Sequence, residues 1–160
     1  MNLVRDIASQ VKVYRAKAPL RISFCGGGTD MPDFFDENGG VVLSTTIDKY
    51  SHVTLIPRDD KKVKIKSLDF DLNIEFNVDK APIYDGVLDL AKAVIHELGL
   101  DHGFDLHVHS DVPPGSGLGT SSTFTVAILG VLLKFLNDSW DKYDISETAY
   151  KIERIKMAIK

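Results

Sequence analysis

Disulfide pairs, membrane spans and a basic surplus are all missing from this sequence of 160 residues. Its only cysteine is Cys25, which excludes an internal disulfide and favours a reducing compartment, here taken as the cytoplasm. The longest apolar run, residues 124–136, is shorter than the ~20 residues of a membrane span, and residues 1–10 lack the apolar core of a signal peptide. With 19 basic and 23 acidic residues, the chain also lacks the positive charge that binding to a phosphate backbone requires. We therefore expect a cytoplasmic protein without a nucleic-acid or membrane partner.

The residues that are present suit one folded domain. Hydrophobic residues make up 44% of the chain, which excludes intrinsic disorder. The 12 glycines are too few for a collagen-like repeat, and no internal repeat, linker or low-complexity tract divides the chain. Because a chain of this length buries roughly 70% of the surface that its unfolded form exposes, it can form a core of its own.

Alternating apolar and polar residues predict β-strands over the first half of the chain. The segments are 11–17, 20–24, 41–55, 62–66 and 72–76, the third suiting one long strand or two short ones. Alternation leaves one face of each strand polar, as in antiparallel sheets with one face in water. Lysines crowd the fourth segment and indicate the wet face of an edge strand, where they discourage pairing with another chain. These lysines are Lys61, Lys62, Lys64 and Lys66.

The second half of the chain is mainly helical. A one-sided apolar pattern predicts a helix over 85–98 with Asp85 as its N-terminal cap, and a further strand follows at 104–109. The apolar run predicts a buried helix over 120–136, and a last helix is predicted over 144–160, opening with a capping box formed by Asp144 and Glu147. Strands followed by helices indicate an α+β fold. We predict a mixed, mainly antiparallel sheet with helices on one side.

Half of the glycines lie in two short clusters, at 26–28 and 115–119, and each cluster directly follows a predicted strand. Glycine permits positive φ and lets backbone N–H groups approach a ligand closely. The second cluster leads into the helix predicted over 120–136, whose first amides and positive dipole end favour an anion. Hydroxyl side chains at 120–123 add a candidate ligand for Mg²⁺. The pattern indicates a nucleoside triphosphate site, with a plain tight turn and hydroxyl cap as the structural alternative.

Two other phosphate-binding loops do not fit this spacing. A Walker loop requires a lysine directly after its last glycine, and no lysine occurs between Lys92 and Lys134. A dinucleotide loop requires an acidic residue ~20 positions on, at the end of the next strand. Asp138 lies near that distance, but it follows a helix directly.

A histidine pair gives the sequence a second candidate site. His107 and His109 lie on one face of a predicted strand, flanked by Asp105 and Asp111. This is half of a zinc site, and no cysteine or third histidine is arranged to complete it. An ordinary polar strand face is the favoured interpretation.

Three segments, in the same order, resemble motifs of the GHMP kinases, a family that includes galactokinase, homoserine kinase, mevalonate kinase and phosphomevalonate kinase. Residues 113–122, Pro-Pro-Gly-Ser-Gly-Leu-Gly-Thr-Ser-Ser, resemble the phosphate-binding motif of that family. Residues 18–30, Ala-Pro-Leu-Arg-Ile-Ser-Phe-Cys-Gly-Gly-Gly-Thr-Asp, resemble its N-terminal substrate motif in the form of the sugar 1-kinases. Residues 149–154 resemble the helix that carries its metal-binding carboxylate. The branch of the D-glycero-D-manno-heptose 7-phosphate kinases is the most similar one.

The resemblance implies a role for each motif residue in a kinase that uses ATP and Mg²⁺. The implied nucleotide-binding residues are Pro114, Gly115, Ser116, Gly117, Leu118, Gly119, Thr120, Ser121 and Ser122. The implied substrate-binding residues are Gly26, Gly27, Gly28, Thr29 and Asp30. Ser121 and Glu153 are the implied metal ligands, since Mg²⁺ takes oxygen donors. Arg21 is the implied catalytic residue, placed to stabilise negative charge near the reacting hydroxyl.

Three of these residues also have a plain structural interpretation. Arg21 lies in an alternating strand and suits a solvent-facing position. Asp30 suits the cap of a turn or a short helix. Glu153 suits a solvated helix carboxylate that pairs with a basic residue one turn away.

The sequence departs from the family pattern at two positions of the phosphate motif and at its end. Thr120 stands where the family usually has Ser, and Thr123 where Ala is common. The family's catalytic aspartate follows the glutamate helix, so the general base is expected outside this sequence. We expect residues 1–160 to be a GHMP kinase N-terminal ATP-binding domain, truncated before a C-terminal domain.

The function implied by the resemblance is transfer of the γ-phosphate of ATP to the anomeric hydroxyl of a heptose 7-phosphate or a similar sugar. A fucokinase-like member of the family fits the same motifs. So does a catalytically silent nucleotide-binding fragment, because the general base is not among these residues. A fragment that exposes apolar surface is also expected to associate, for example as a homodimer.

Overall fold

One sheet of five strands organises the computed structural model, which describes residues 12–157. The strands are β1 (Tyr14–Cys25), β2 (Leu43–Pro57), β3 (Lys62–Ser67), β4 (Leu72–Asn77) and β5 (Phe104–Ser110). Their order across the sheet is β1-β2-β5-β3-β4, with β3 and β5 parallel and the other neighbours antiparallel. The predicted α+β fold with a mixed, mainly antiparallel sheet is confirmed.

Four α-helices and one π-helical turn complete the described part of the chain. They are α1 (Pro32–Asn38), α2 (Asp89–Glu97), α3 (Thr120–Leu136), α4 (Lys142–Tyr150) and the π-helical turn Lys151–Lys156. The bounds of α3 are those predicted, whereas α1 is too short for its apolar pattern to predict a helix. Two predictions fall outside the described residues: the absence of a signal peptide in residues 1–10, and the end of the last helix at 158–160.

The apolar run of α3 forms the centre of the core. α3 lies across β1 and β2, and Leu129, Val131 and Leu132 are fully buried. Burial of each such side chain stabilises the fold by roughly 1.5–3 kcal/mol. They belong to one cluster with Leu55 and Leu106 from the inner face of the sheet. The helices formed by residues 12–157 include none with the length and apolar character to cross a membrane.

Two strand predictions are corrected by neighbours across the sheet. The segments predicted as 11–17 and 20–24 form the single strand β1, because an edge strand tolerates Pro19 at a register shift. β3, predicted from its lysines as an edge strand, lies between β5 and β4. Its lysines do reach solvent, and Lys62 Nζ donates to Glu75 Oε1 on β4 at 2.9 Å.

α2 begins later than predicted, at Asp89, because Leu88 before it has a left-handed φ of 52°. Asp85, the predicted cap, instead accepts from Lys92 Nζ at 2.6 Å, and Asp89 accepts from the same ammonium at 3.0 Å. Burial disfavours the charge on Lys92, but hydrogen bonds to the two carboxylates outweigh it and raise the pKa of Lys92. This ion-pair cluster fixes the segment that enters α2.

α4 has its capping box one turn earlier than predicted. Asp141 is the N-cap, and the box pairs it with Asp144, the residue predicted as the cap. α4 then continues directly into the π-helical turn, where Met157 N–H donates to Ile152 O at 3.0 Å, five residues back. A π-helical turn changes the direction in which the residues it carries face.

Candidate functional site

The second glycine cluster joins the end of β5 to the start of α3. Gly115, Gly117 and Gly119 have φ angles of 80°, 73° and 78°, a region that other residues rarely adopt. Gly119 is the N-cap of α3 and has no side chain to accept bonds from the first helical amides. The first turn of α3 also contains no acidic residue of its own that would offset the positive end of the helix dipole. This arrangement favours an anion.

Two carboxylates anchor the strand end that leads into this loop. Asp111 accepts the backbone N–H of Tyr50 at 2.8 Å, and this bond lowers the pKa of Asp111. Asp69, in the turn between β3 and β4, accepts the N–H of Ser110 at 2.9 Å and is nearly buried. These bonds hold the end of β5, where the loop begins, in a fixed position.

The histidines of this face are held by the same carboxylates. His52 Nε2 lies 3.1 Å from Asp111 Oδ1, and His109 Nδ1 lies 2.8 Å from Asp69 Oδ1. Over residues 12–157, no group of three or more His, Cys, Asp or Glu side chains could hold a metal ion. The zinc alternative at His107 and His109 is therefore not supported.

Arg21 connects β1 to the glycine-rich loop. Its backbone N–H donates to Leu118 O at 3.2 Å, and its Nη1 donates to Gly117 O at 3.3 Å. A Cβ added at Gly119 would lie 3.4 Å from the guanidinium carbon, so the arginine packs directly on the loop. Arg21 is exposed, as the alternation pattern suggests, and it also contacts the loop.

The first glycine cluster forms a tight turn after β1. Thr29 Oγ1 lies 2.8 Å from Gly26 O and 3.0 Å from Val41 O, and it accepts Val41 N–H at 3.2 Å. A Cβ at Gly26, where φ is 81°, would lie 1.9 Å from Val41 O, so only glycine fits. Gly28 N–H donates to Asp30 Oδ1 at 2.9 Å. Asp30 thus stabilises the turn and does not cap α1, whose N-cap is Met31.

A shallow cavity of about 350 Å³ lies between this turn and the segment after α1. Its lining residues are Thr29, Asp30, Phe35, Gly39, Gly40 and Val42. Sequence reasoning found Thr29 and Asp30 but not the wall contributed by α1. The adjacent glycines at 39 and 40 were an available signal, because a Cβ at Gly40 would lie 2.0 Å from Thr29 O.

A larger cavity, of about 510 Å³, opens beside the second glycine cluster. Its apolar wall includes Phe70, Leu88, Phe124, Ile128 and Met157, and its loop side includes Pro114, Gly115, Thr120 and Ser121. Its volume and apolar lining suit a small-molecule ligand. Sequence analysis named the loop side only, because the apolar wall comes from several separate segments of the chain.

Glu153 lies at the start of α3, reached from the π-helical turn. Its Oε2 accepts from Ser122 Oγ at 2.7 Å, and its Oε1 accepts from Thr125 Oγ1 at 2.8 Å. The structure thus brings Glu153 to Ser122 and Thr125. Ser121, the predicted second metal ligand, precedes Ser122 in the chain, and no hydrogen bond joins it to Glu153 among the described residues. Oxygen donors of this kind fit Mg²⁺, which binds one or two carboxylates and keeps waters or phosphate oxygens as its other ligands.

Known proteins are similar to this chain in sequence and in fold. Residues 85–159 match the family model described as GHMP kinases N terminal domain. The chain is 38% identical over 154 residues to the D-glycero-alpha-D-manno-heptose 7-phosphate kinase of Campylobacter jejuni, covering 93% of this chain and 45% of that protein. It is 30% identical over 166 residues to the galactokinase of Levilactobacillus brevis, covering 92% of this chain and 42% of that protein.

A solved structure gives the same relationship. The crystal structure of a D-glycero-D-manno-heptose 1-phosphate kinase from Bacteroides thetaiotaomicron superposes with a TM-score of 0.83 at 32% identity, over 93% of this chain and 50% of that chain. The chain therefore spans about half the length of the relatives that it matches. Family match, sequence identity and shared fold together establish that this chain belongs to the GHMP kinases and carries their N-terminal domain.

Proposed function

We propose that this chain is the nucleotide-binding part of a cytoplasmic sugar kinase that transfers the γ-phosphate of ATP to the anomeric hydroxyl of a heptose 7-phosphate or a similar sugar. The observation that carries the proposal is the contact of Arg21 with Gly117 and Leu118. This contact joins β1, which leads to the first glycine cluster, with the glycine-rich loop at 115–119. Phosphoryl transfer depends on holding a donor and an acceptor together, so the loops that bind them must adjoin. The heptose phosphate kinases among the relatives support this substrate class.

On the donor side, the triphosphate is proposed to lie on the backbone amides of residues 115–121. The open start of α3 supports this, because its amides and dipole favour negative charge. The apolar cavity of about 510 Å³ beside the loop is the proposed place of the nucleotide base. Arg21 is proposed to stabilise the charge that develops on the transferred group.

Glu153 and Ser121 are the proposed ligands of Mg²⁺. When bound, the ion neutralises charge on the phosphate oxygens. The oxygen atoms at the start of α3 support this assignment, because hydrogen bonds from Ser122 and Thr125 hold the Glu153 carboxylate there.

On the acceptor side, the turn formed by residues 26–30 and its shallow cavity are proposed to hold the sugar. The Asp30 carboxylate is exposed and able to accept hydrogen bonds from sugar hydroxyls. Because the relatives are about twice as long, we propose that the general base and a C-terminal domain lie outside residues 1–160. A homodimer is a separate expectation that a mass measurement in solution would test.

The galactokinase relative favours a second candidate, a kinase for a different sugar. The test is transfer of isotope-labelled phosphate from ATP to a panel of sugars and sugar phosphates by the full-length protein that contains this chain, run beside calorimetry of its ATP binding with Mg²⁺. Transfer to a heptose 7-phosphate supports the proposal, and transfer to galactose or fucose alone supports the second candidate. Transfer to mevalonate or homoserine but to no sugar would overturn both, and ATP binding with no transfer would indicate a silent module.

A further inference from the structure

Both oxygens of the Glu153 carboxylate accept hydrogen bonds from hydroxyls of α3. Ser122 Oγ donates to Oε2 at 2.7 Å and Thr125 Oγ1 donates to Oε1 at 2.8 Å. Hydrogen bonds to a carboxylate of this length are strong ones. The two donors lie one turn apart on one helix face, so they fix the plane of the carboxylate and not only its position.

Thr125 is fully buried, so its hydroxyl requires a partner. Two acceptors lie within reach, Glu153 Oε1 at 2.8 Å and the backbone oxygen of Ser121 at 3.2 Å. A hydroxyl carries one proton, and the shorter contact to the charged oxygen takes it. The carboxylate of Glu153 therefore satisfies a buried donor of α3 and is held by it in return.

We propose that Ser122 and Thr125 are positioning residues that hold Glu153 ready to bind a divalent cation at the start of α3. This inference rests on the proposed function. A carboxylate has about four lone pairs, so two hydroxyl donors leave acceptor capacity on both oxygens for a cation. Because the hydroxyls of Ser122 and Thr125 hold the Glu153 side chain, it has already lost the rotamer freedom that an unbonded glutamate would lose on binding a metal. Carboxylates that bind metals are commonly hydrogen-bonded in this way, and loss of the hydrogen-bond donor lowers the affinity for the metal by about 10–100-fold.

The test measures Mn²⁺ affinity of the whole chain by electron paramagnetic resonance, with a non-hydrolysable ATP analogue present. Thr125→Val keeps the shape of the side chain and removes its donor, and we expect about 10-fold weaker Mn²⁺ binding. Ser122→Ala lies at an exposed position where alanine is a good helix residue, so folding is retained, and a similar loss is expected. Thr125→Ser restores the donor and is expected to restore affinity.

Ser146→Ala is the matched control for Ser122→Ala. Its hydroxyl, on α4 outside the candidate site, donates to Tyr143 O at 2.9 Å, so its loss is expected to leave Mn²⁺ affinity unchanged. Equal Mn²⁺ affinity in the wild type, Thr125→Val and Ser122→Ala would overturn the inference and leave the proposed function standing. A wild-type chain that binds the analogue neither with nor without Mn²⁺ would overturn both.

Discussion

α3 and α4 begin in opposite ways within the same chain. At α4, the Asp141 carboxylate accepts the amides of Tyr143 and Asp144 at 2.7 and 2.9 Å, and Asp144 accepts the amide of Asp141 at 3.3 Å. At α3, the N-cap is Gly119, and the first turn has no acidic residue. A side-chain cap stabilises a helix by about 1 kcal/mol. One helix thus satisfies its first amides internally, whereas the other leaves them available to an external anion.

The difference shows where each helix obtains its stability. α3 is packed along most of its length by buried apolar residues, so it forms without a cap. α4 is polar and buries only Ala149 among its residues, so local capping matters more to it. A helix that is fixed by its core can present an open N-terminus as a binding surface.

The largest effect is expected where Arg21 meets the open helix start. Arg21→Gln removes the guanidinium that packs on Gly117 and Gly119. Loss of one hydrogen-bond donor to the charge that develops in the transition state lowers a reaction rate by about 100-fold. We expect the rate of phosphoryl transfer to fall by that factor in an active kinase that contains this chain. Arg15→Gln, at another exposed position of β1, is the control and should keep its rate. Equal rates in all three proteins would contradict the role of Arg21.

The contrast between the two helices can be removed by giving α3 the acidic first turn of α4. We expect Thr120→Asp to weaken ATP binding by roughly 100-fold, because like charges ~4 Å apart near a surface repel by a few kcal/mol. The same charge should raise the free energy of unfolding by ~0.3–1 kcal/mol through the helix dipole. Calorimetry and denaturant unfolding measure the two effects. Ser146→Asp on α4 adds the same charge elsewhere and should leave ATP affinity near the wild-type value.

The converse change removes the cap of α4. Asp141→Ala is expected to lower the free energy of unfolding by about 1 kcal/mol and the melting temperature by roughly 2–4 °C. ATP affinity measured without metal should be unchanged, since the open start of α3 is intact. Ser139→Ala, an exposed position before α4, is the stability control. An unchanged melting temperature in Asp141→Ala would show that α4 does not depend on its cap.

The smallest effect concerns the stem of the glycine-rich loop at acid pH. The backbone bond from Tyr50 lowers the pKa of Asp111, so its contribution to stability is present above the ordinary pKa of ~3.9 and is lost as pH falls through the lower folded value. Asp111→Asn should therefore flatten the fall of unfolding free energy below about pH 4 and also weaken ATP binding. Glu75→Gln is the control, because Lys62 lowers the pKa of Glu75 at a position away from the loop. It should flatten the acid limb without changing ATP affinity.

Local patterns predicted most of the elements. The apolar run between the glycine-rich loop and Asn137 defined α3 at both ends, because Gly119 and Asn137 adopt the left-handed backbone that interrupts a helix. Helix starts were harder to predict. Asp85 and Asp144 both suit a cap by type, but Asp85 is bound by Lys92, and Asp144 serves as the third residue of the capping box.

The candidate site was predicted in its loops and missed in its walls. Both glycine clusters adopt the positive φ angles that glycine permits, at Gly26 and at Gly115 for example. The apolar cavity wall and the hydroxyl of Thr125 were not predicted, since nothing in their local sequence distinguishes them from ordinary core residues. The roles of the predicted ligand-binding residues stay predictions until a ligand is measured.

The sequence by itself determined the alternating strands, the buried helix and the two glycine-rich turns, because each depends on residues close together in the chain. Only the tertiary structure decided that β3 lies inside the sheet, that Arg21 meets a loop 96 residues away, and that Glu153 rests on the hydroxyls of α3. These contacts form between segments with no local preference for one another. They exist because burial of the shared core brings those segments together.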